Sequence, residues 1–284
     1  MGTSRLRFDQ IGQWSQIKLD IVREYARAYS TILTRQASLK HVYIDAFAGA
    51  GIHQLKSTGG LVSGSPLNAL HVEPPFHEIH LIDLDGAKID NLREIVGDRA
   101  NVFFYQEDCN RILLEKVFPR VRYEDYRRGL CLLDPYGLNL NWEVLAKAGE
   151  MKTIEIFLNF PIMDMNRNAL WSNATGVAQE DAERMTAFWG DTSWRDEVYV
   201  QQPGLFGGED WLKSGGNEKI VRAFQKRLQD VAGFTEVPKP IPMRNSRNAT
   251  VYYLFFASHN KIGGRIAGDI LRKYGLLLQK RGRR

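Results

Sequence analysis

The chain has 284 residues, of which 44% are apolar, 11% aromatic and 25% charged, and its formal net charge is +5. A chain of this length and composition can bury a substantial core, which excludes disorder as its main state. Its longest apolar runs, such as residues 251–257, are far shorter than the roughly 20 residues of a membrane-spanning helix, so no membrane span is predicted.

Apolar runs alternate with helical patterns along the first part of the chain. Residues 10–38 place apolar side chains three or four positions apart, which predicts an amphipathic helix that packs on a sheet. Ser65 is predicted to be the N-cap, and Pro66 the first residue, of a further helix. Strands are predicted at 41–47, 78–82, 102–105, 130–133 and 154–160, and helices at 86–95, 110–117 and 142–148. This alternation predicts an α/β fold whose mainly parallel sheet has helices on both faces.

The second half of the chain departs from this alternation. Residues 165–233 are rich in tryptophan, glycine and charge, with helical patterns at 181–189 and 218–231, and predict a mostly helical insertion that can serve as a substrate lobe. A wholly apolar run at 251–258 predicts a late strand that returns to the sheet, followed by a closing helix at 263–274. The predicted organisation is a helical segment (1–40), a core (41–164), the insertion (165–233), and a final part with return strands, closing helix and basic tail (234–284).

Ligands of open α/β sheets bind beyond the carboxyl ends of the strands, so the residues that follow each predicted strand are the candidates. The first strand leads into DAFAGAG at 45–51, where two glycines permit a tight turn and a close approach of the backbone to a ligand. This loop lacks the G-x-G-x-x-G spacing, and the chain lacks a G-x-x-x-x-G-K-[ST] run. A nicotinamide or flavin enzyme and a phosphate-loop NTPase are therefore disfavoured.

Acidic residues follow the second and third predicted strands. Asp83 or Asp85 can accept hydrogen bonds from both hydroxyls of a ribose, and Asp108 can accept one from an adenine amino group. Taken singly, each acid is more often a helix cap or a turn residue. Together with the glycine loop, however, they offer in chain order the separate contacts that the methionine, ribose and adenine parts of S-adenosylmethionine require.

This arrangement resembles the class I S-adenosylmethionine-dependent methyltransferases. The segments YIDAFAGAG, GSPLNAL, LIDLD, QEDCN, LLDPYGL and LNFP resemble the three-Cys-motif partner (TcmP) family over residues 10–160, and YYLFFASHNKIGG extends the resemblance to 252–264. The resemblance implies a Rossmann-like methyltransferase fold with a seven-stranded sheet, S-adenosyl-L-methionine as cofactor, and a three-cysteine-motif protein as partner. It places Asp45, Gly49 and Gly51 at the methionine end, Asp83 at the ribose and Asp108 at the adenine, with Phe47 and Cys109 also among the cofactor-binding residues.

The segment DPYG at 134–137 follows the fourth predicted strand and bears on the reaction. Methyltransferases that act on base amino groups carry D/N-P-P-Y/F at this place, and DPYG resembles the variant of tRNA guanine-N2 methyltransferases, although only one proline follows Asp134. A carboxylate or carbonyl must accept from the exocyclic amino group, and an aromatic face must hold an extruded base. Asp134, Pro135 and Tyr136 are therefore the candidate catalytic residues, and Asn159 is a candidate for the opposite wall of the pocket.

Two further features concern a nucleic-acid substrate. The insertion holds Trp171, Trp189, Trp194 and Trp211, which can stack on bases but more often form a small core. Residues 261–284 carry a net charge of +7, because Asp269 is the single acid among eight basic residues: Lys261, Arg265, Arg272, Lys273, Lys280, Arg281, Arg283 and Arg284. Such a tail can contact the phosphates of DNA or RNA, although a solvated charged end is the commoner explanation.

Cysteine and histidine usage bears on compartment and metal binding. Cys109 and Cys131 are too few for a disulfide scaffold, and the six histidines are scattered, so neither disulfides nor a metal site are predicted. Residues 1–7 are basic but lead into polar residues rather than the apolar segment of a secretory signal. The sequence therefore predicts a cytoplasmic protein with reduced cysteines.

Three functions are compatible with these observations. The first is an S-adenosylmethionine-dependent methyltransferase that acts on an exocyclic amino group of a nucleobase in DNA or RNA. The second is a nucleoside-binding partner or regulatory subunit of a three-cysteine-motif protein with little turnover. The third is a small-molecule methyltransferase with residues 165–233 as a lid, whose activity should be insensitive to salt, whereas polynucleotide binding weakens as salt rises.

Overall fold

The computed structural model describes residues 9–203 and 209–281. Its strands are β1 (Asp9–Ile11), β2 (Lys40–Asp45), β3 (Ile52–Leu55), β4 (Leu61–Ser63), β5 (Glu78–Asp83), β6 (Val102–Gln106), β7 (Arg127–Leu133), β8 (Ile154–Phe160), β9 (Tyr199–Pro203), β10 (Glu209–Lys213), β11 (Ile241–Arg244) and β12 (Thr250–Ala257). Its helices are α1 (Gln13–Thr34), α2 (Ser65–Leu70), α3 (Gly86–Val96), α4 (Cys109–Ile112), α5 (Trp142–Met151), α6 (Ile162–Asn168), α7 (Gln179–Trp189), α8 (Trp194–Val198), α9 (Asn217–Asp230) and α10 (Lys261–Arg281). None of the described helices is both long enough and apolar enough to cross a membrane.

Seven strands form the central sheet in the order β11-β12-β8-β7-β2-β5-β6. The pairs β8–β7, β7–β2, β2–β5 and β5–β6 are parallel, whereas β12 is antiparallel to both β8 and β11. The α/β fold class, with a mainly parallel seven-stranded Rossmann-like sheet, is confirmed. Because the chain runs outward from β2 to β6 on one side and from β7 to β8 on the other, the strand order reverses between β2 and β7, and ligands of such sheets bind at this switch point.

Helices cover both faces of the sheet, and the sheet separates the interior into two hydrophobic cores. Val42 and Ile44 of β2 face one core, whereas Tyr43 faces the other, as expected from the alternation of side chains along a strand. The first core contains apolar residues of α5, α7 and α9, and the second contains those of α1, α2, α3 and α10. Burial on both faces explains why the parallel strands have near-continuous apolar sequences and could be predicted.

The start of α2 differs from the prediction. The N-cap is Gly64 and Ser65 is the first helical residue, so the prediction of Ser65 as N-cap was wrong. The Gly64 amide donates to the Gly51 carbonyl at 2.7 Å, and a Cβ at Gly64 would lie only 2.9 Å from that oxygen. The close approach of the two backbones therefore requires glycine at the cap position.

Several local structures were not predicted, among them the small sheet of β1, β3 and β4. The predicted helix at 110–117 is the short α4 followed by a π-helical turn, Leu113–Val117. In the predicted helical insertion, β9 and β10 pair as an antiparallel hairpin. Their sequences, YVQQP and EDWLK, have neither a clear two-residue alternation nor a run of β-branched residues, which are the usual signals of a strand.

A buried carboxyl group lies near the start of β8, at the opposite end of the strand from the candidate site residues. Glu155 is 7% exposed and accepts hydrogen bonds from the Tyr25 hydroxyl and, at 3.0 Å, from the Ser258 hydroxyl. Burial raises the pKa of Glu155 to about 7, although both hydrogen bonds act in the opposite direction. Glu155 is therefore largely neutral below pH 7 and must carry a buried charge above it.

Glu155 is expected to make the fold less stable as the pH rises. Because its folded pKa of about 7 exceeds the ordinary value, its contribution to the free energy of unfolding is complete below about pH 4.3 and is lost as the pH rises through 7, at a cost on the order of 3 kcal/mol. We expect Glu155→Gln to flatten this decline in urea titrations at pH 5, 6, 7 and 8. The exposed Glu150→Gln is the control, and an unchanged slope in Glu155→Gln would contradict the assignment.

Candidate functional site

The carboxyl ends of the parallel strands lie at one edge of the sheet, and their loops are bonded to one another. The Gly49 amide, after β2, donates to Asp83 Oδ2, at the end of β5, at 2.9 Å. Asn110, after β6, accepts from the Asn141 amide at 2.8 Å, in the loop that follows β7. The strand ends that carry the candidate residues are thus brought together around the switch point.

The two glycines of the β2 loop have different reasons to be glycine. Both have positive φ, +66° at Gly49 and +84° at Gly51, where a side chain would strain the backbone. A Cβ at Gly51 would lie 2.6 Å from Leu92 of α3, so this glycine permits close packing of the helix. At Gly49 the nearest atoms are Asp9 Oδ2 and His53 Cε1, both 3.8 Å from the Cβ position, so Gly49 faces polar groups of the candidate site.

Asp45 lies beneath this loop and is fully buried. Its Oδ1 accepts from the Phe47 amide at 3.3 Å, whereas its Oδ2 has no hydrogen bond of standard geometry among the described residues. Burial, with a contribution from the charge of Asp134, raises the pKa of Asp45 to about 7, although the Ser65 hydroxyl lowers it. Asp45 is therefore expected to add to the decrease in the free energy of unfolding with rising pH that is described for Glu155. The half-buried Phe47 ring packs against the core.

Asp83 and Asp85 are distinguished by the structure. Asp83 is buried, and its two oxygens accept the Gly49 amide and, at 2.9 Å, the Asp85 amide. Asp85 is exposed and caps α3 by accepting from the Ala87 amide at 2.9 Å. Each carboxylate oxygen can accept a further hydrogen bond, so Asp83 can still receive a ribose hydroxyl while it joins the two loops. Leu84 between them is 75% exposed and offers an apolar surface at the same edge.

Asp108 and Cys109 follow β6. Asp108 is the N-cap of α4 and accepts from the Arg111 amide at 3.1 Å. The Cys109 thiol is buried in the first core, and burial, with the nearby Asp108 charge, raises its pKa to about 12. The thiol is therefore neutral and enclosed, so a contact of Cys109 with a ligand would have to come from its backbone.

Asp134 is held by two residues from other elements. Its Oδ2 pairs with the ammonium of Lys18 on α1, and its Oδ1 accepts from the side-chain amide of Asn159 at the end of β8. The Lys18 side chain is 8% exposed and that of Asp134 is 29% exposed, so the lysine is the more enclosed partner. Lys18 was not predicted; its sequence signal is a lysine in the stripe that includes Trp14, Val22 and Tyr25 on the buried face of α1.

Tyr136 has an accessible ring, with 63% of the residue exposed. The ammonium of Lys88 lies 5.1 Å from the ring centroid, within the range of a cation–π contact, and 3.7 Å from Asp9 Oδ2. Pro135 is buried, and Gly137 has φ of +73° with Asp164 Oδ2 only 2.7 Å from its Cβ position. The DPYG turn is therefore fixed by its proline and glycine, while the tyrosine ring remains available to a planar ligand.

Four charged or titratable residues of the site were missed by sequence reasoning: Asp9, Lys18, His53 and Lys88. Asp9 and His53 lie on β1 and β3 of a small separate sheet, order β1-β3-β4, beside Gly49. Burial, followed by the charge of Lys18, lowers the pKa of His53. Asp9 Oδ2 and His53 Nδ1 are buried atoms without hydrogen-bond partners among the residues described. Nothing in their local sequence distinguishes them, because they reach the site only through tertiary structure.

The four tryptophans of the insertion fall into two pairs. Trp189 and Trp194 are 1% and 0% exposed and belong to the first core, in agreement with the expectation that such tryptophans form a core. Trp171 and Trp211 are 46% and 39% exposed, so these two remain available to a partner or substrate. Residues 9–203 and 209–281 hold no group of three His, Cys, Asp or Glu side chains that could bind a metal ion.

No protein-family model and no curated protein matches this chain. It is similar to a solved Legionella pneumophila protein described under the family model DUF519 (14% identity, 76% of this chain and 93% of the other, TM-score 0.40). It is also similar to a Thermobifida fusca protein to which methyltransferase activity has been attributed (12% identity, 87% and 81%, TM-score 0.43). A third similar structure is the 23S rRNA methyltransferase ErmE (10% identity, 85% and 68%, TM-score 0.35). These likenesses are remote and add no argument about the site, and the TcmP resemblance stays a prediction.

Proposed function

We propose that this chain is an S-adenosylmethionine-dependent methyltransferase that acts on an exocyclic amino group of a nucleobase in DNA or RNA. One observation carries the proposal: the glycine loop after β2, the acids after β5 and β6 and the DPYG turn after β7 meet at the switch point, joined by the Gly49–Asp83 and Asn110–Asn141 hydrogen bonds. Enzymes of this kind need a nucleoside site and a base site side by side.

The polar groups beside Gly49 fit the cofactor. Its amino-acid end carries an ammonium and a carboxylate, so it needs both acceptors and donors. Asp9 Oδ2 and Asp45 Oδ2 are buried acceptors without standard hydrogen bonds among the described residues. His53 Nδ1, which donates or accepts according to the tautomer of the ring, is a third buried atom without a hydrogen bond among them. Asp83 would hold the ribose, and Asp108 and Leu84 would contact the adenine. Bound S-adenosylmethionine supplies an activated methyl group, so the protein has to provide orientation and exclusion of water.

The DPYG turn would position the substrate. The exposed face of Tyr136 can hold a flipped base by stacking, and Asp134 with the backbone carbonyl of Pro135 can accept from the amino group. These acceptors would align the nitrogen lone pair with the methyl carbon. A neutral amine attacks first and loses its proton afterwards, so Asp134 acts by orientation and a general base is not required.

Three predictions that accompany this function remain proposals. They are a three-cysteine-motif protein as partner, a cytoplasmic location, and a role of the basic carboxyl terminus in binding DNA or RNA. Residues 282–284 lie outside the described residues, as do the side chains of Lys280 and Arg281. The role of the basic tail is tested by deletion of residues 280–284, which should lower the affinity for a polyanion and leave cofactor binding unchanged.

The function is tested by titration with S-adenosylhomocysteine and by transfer of labelled methyl groups to DNA, tRNA and rRNA. We expect saturable binding, and methyl transfer to at least one polynucleotide that weakens as salt rises. Binding without transfer would favour a regulatory subunit instead. Transfer to a small metabolite that is insensitive to salt would favour a small-molecule methyltransferase, and the absence of cofactor binding would overturn the proposal.

A further inference from the structure

Lys18 lies where the two halves of the proposed site meet. Its ammonium pairs with Asp134 on the DPYG side and also interacts electrostatically with Asp45 and His53 on the side of the glycine loop. The centroid of the Tyr252 ring lies 5.9 Å from the Lys18 ammonium. A lysine ammonium has three donors, and a buried one is costly unless it is paired, so Lys18 can serve a second acceptor besides Asp134.

The cofactor offers one partner that suits this position. S-adenosylmethionine carries two positive groups, the sulfonium and the α-ammonium, which Lys18 would repel, and one negative group, the α-carboxylate, which it would attract. The amino-acid end of the cofactor is assigned above to the loop around Gly49. Since Lys18 also acts on His53, whose ring lies beside Gly49, a carboxylate bound there would be within the influence of the lysine.

We propose, on the basis of the function proposed above, that the Lys18 ammonium is shared between Asp134 and the α-carboxylate of the bound cofactor. Both oxygens of Asp134 are engaged, one by Lys18 and the other by Asn159. A carboxylate neutralised by a lysine is a weaker acceptor for an amine that gains positive charge as it is methylated. When the cofactor binds, its α-carboxylate shares the positive charge of Lys18, and Asp134 becomes a stronger acceptor for the substrate amine. The cofactor therefore binds before the substrate. Lys18 is thus a positioning residue.

Two ligands separate this role from a general effect on the fold. S-adenosylhomocysteine carries the α-carboxylate, whereas 5′-methylthioadenosine has the same nucleoside and thioether without the amino-acid end. We expect Lys18→Met to weaken S-adenosylhomocysteine binding about ten- to a hundredfold, the range for loss of a charge-assisted hydrogen bond. Binding of 5′-methylthioadenosine should stay within about twofold, and this ligand also reports that the variant is folded. If Lys18→Met does not fold, Lys18→Arg, which keeps the charge, should retain the preference for S-adenosylhomocysteine.

Matched variants define what would overturn the inference. Lys147→Met removes an exposed lysine paired with Glu150 and should change neither affinity. Asp134→Asn removes the present partner of Lys18, so it should leave S-adenosylhomocysteine binding as tight as in the wild type or tighter. Equal changes for both ligands in Lys18→Met would refute the inference, as would a carboxylate-specific loss found in Lys88→Met instead. If the wild type binds neither ligand, the proposed function itself fails.

Discussion

Replacing Asp134 by alanine is expected to lower the rate of methyl transfer by at least about a hundredfold, because the acceptor that aligns the substrate nitrogen is lost and small misplacements of reacting groups have effects of this size. Cofactor binding should be retained, since none of the proposed cofactor contacts comes from Asp134. Single-turnover transfer of labelled methyl groups, together with titration by S-adenosylhomocysteine, measures the two quantities separately.

Two variants make this test specific. Asp134→Asn keeps a carbonyl acceptor and should retain more activity than Asp134→Ala. Asp125→Asn removes a carboxylate that pairs with Arg122 before the start of β7, at the opposite edge of the sheet, and should leave activity unchanged. Thermal unfolding of each variant checks that removing the partner of Lys18 has not unfolded the protein. A loss of cofactor affinity as large as the loss of rate would refute the assigned role.

Replacing Asp83 by alanine is expected to weaken S-adenosylhomocysteine binding about ten- to a hundredfold, the range for hydrogen bonds to a charged group. Two effects combine here, because Asp83 would receive the ribose hydroxyls and also accepts the Gly49 amide, which shapes the loop for the amino-acid end. Titration calorimetry measures the change. Since 5′-methylthioadenosine also contains the ribose, its affinity should fall too, in contrast to the result expected for Lys18→Met.

Asp85→Ala is the matched control for Asp83. It removes the cap of α3 and should cost about 1 kcal/mol of stability while leaving cofactor affinity near that of the wild type. Equal losses of affinity in the two variants would show that the proposed assignment of the ribose to Asp83 rather than to Asp85 is mistaken.

The sheet and its strand ends could be predicted because of how parallel strands are buried. β8 is enclosed on both faces, so five of the seven residues in its sequence IEIFLNF are apolar, and the polar residues that follow such runs mark the strand ends. Asp83, Asp108 and Asp134 were identified in this way. The β9–β10 hairpin was missed since half of its residues are polar and no alternation marks a buried face.

The rest of the site could not be predicted because it depends on tertiary contacts. Lys18 reaches Asp134 across 116 positions of sequence, and Asp9 meets Gly49 only because β1 pairs with β3. Local sequence also could not decide which acid faces a ligand and which caps a helix. Asp85 and Asp108 are both N-caps, which accept from the Ala87 and Arg111 amides, whereas Asp83 accepts the Gly49 amide of the β2 loop.

The division of the insertion tryptophans into two enclosed and two accessible rings gives the protein an intrinsic optical probe. Among the insertion tryptophans, the exposed Trp171 and Trp211 are expected to emit at longer wavelength and to be quenched by acrylamide, whereas the buried Trp189 and Trp194 should be shielded from it. A polynucleotide bound to the insertion should therefore reduce acrylamide quenching at the long-wavelength side of the emission and leave quenching at the short-wavelength side unchanged. Occupancy of this lobe can thus be followed without any attached dye.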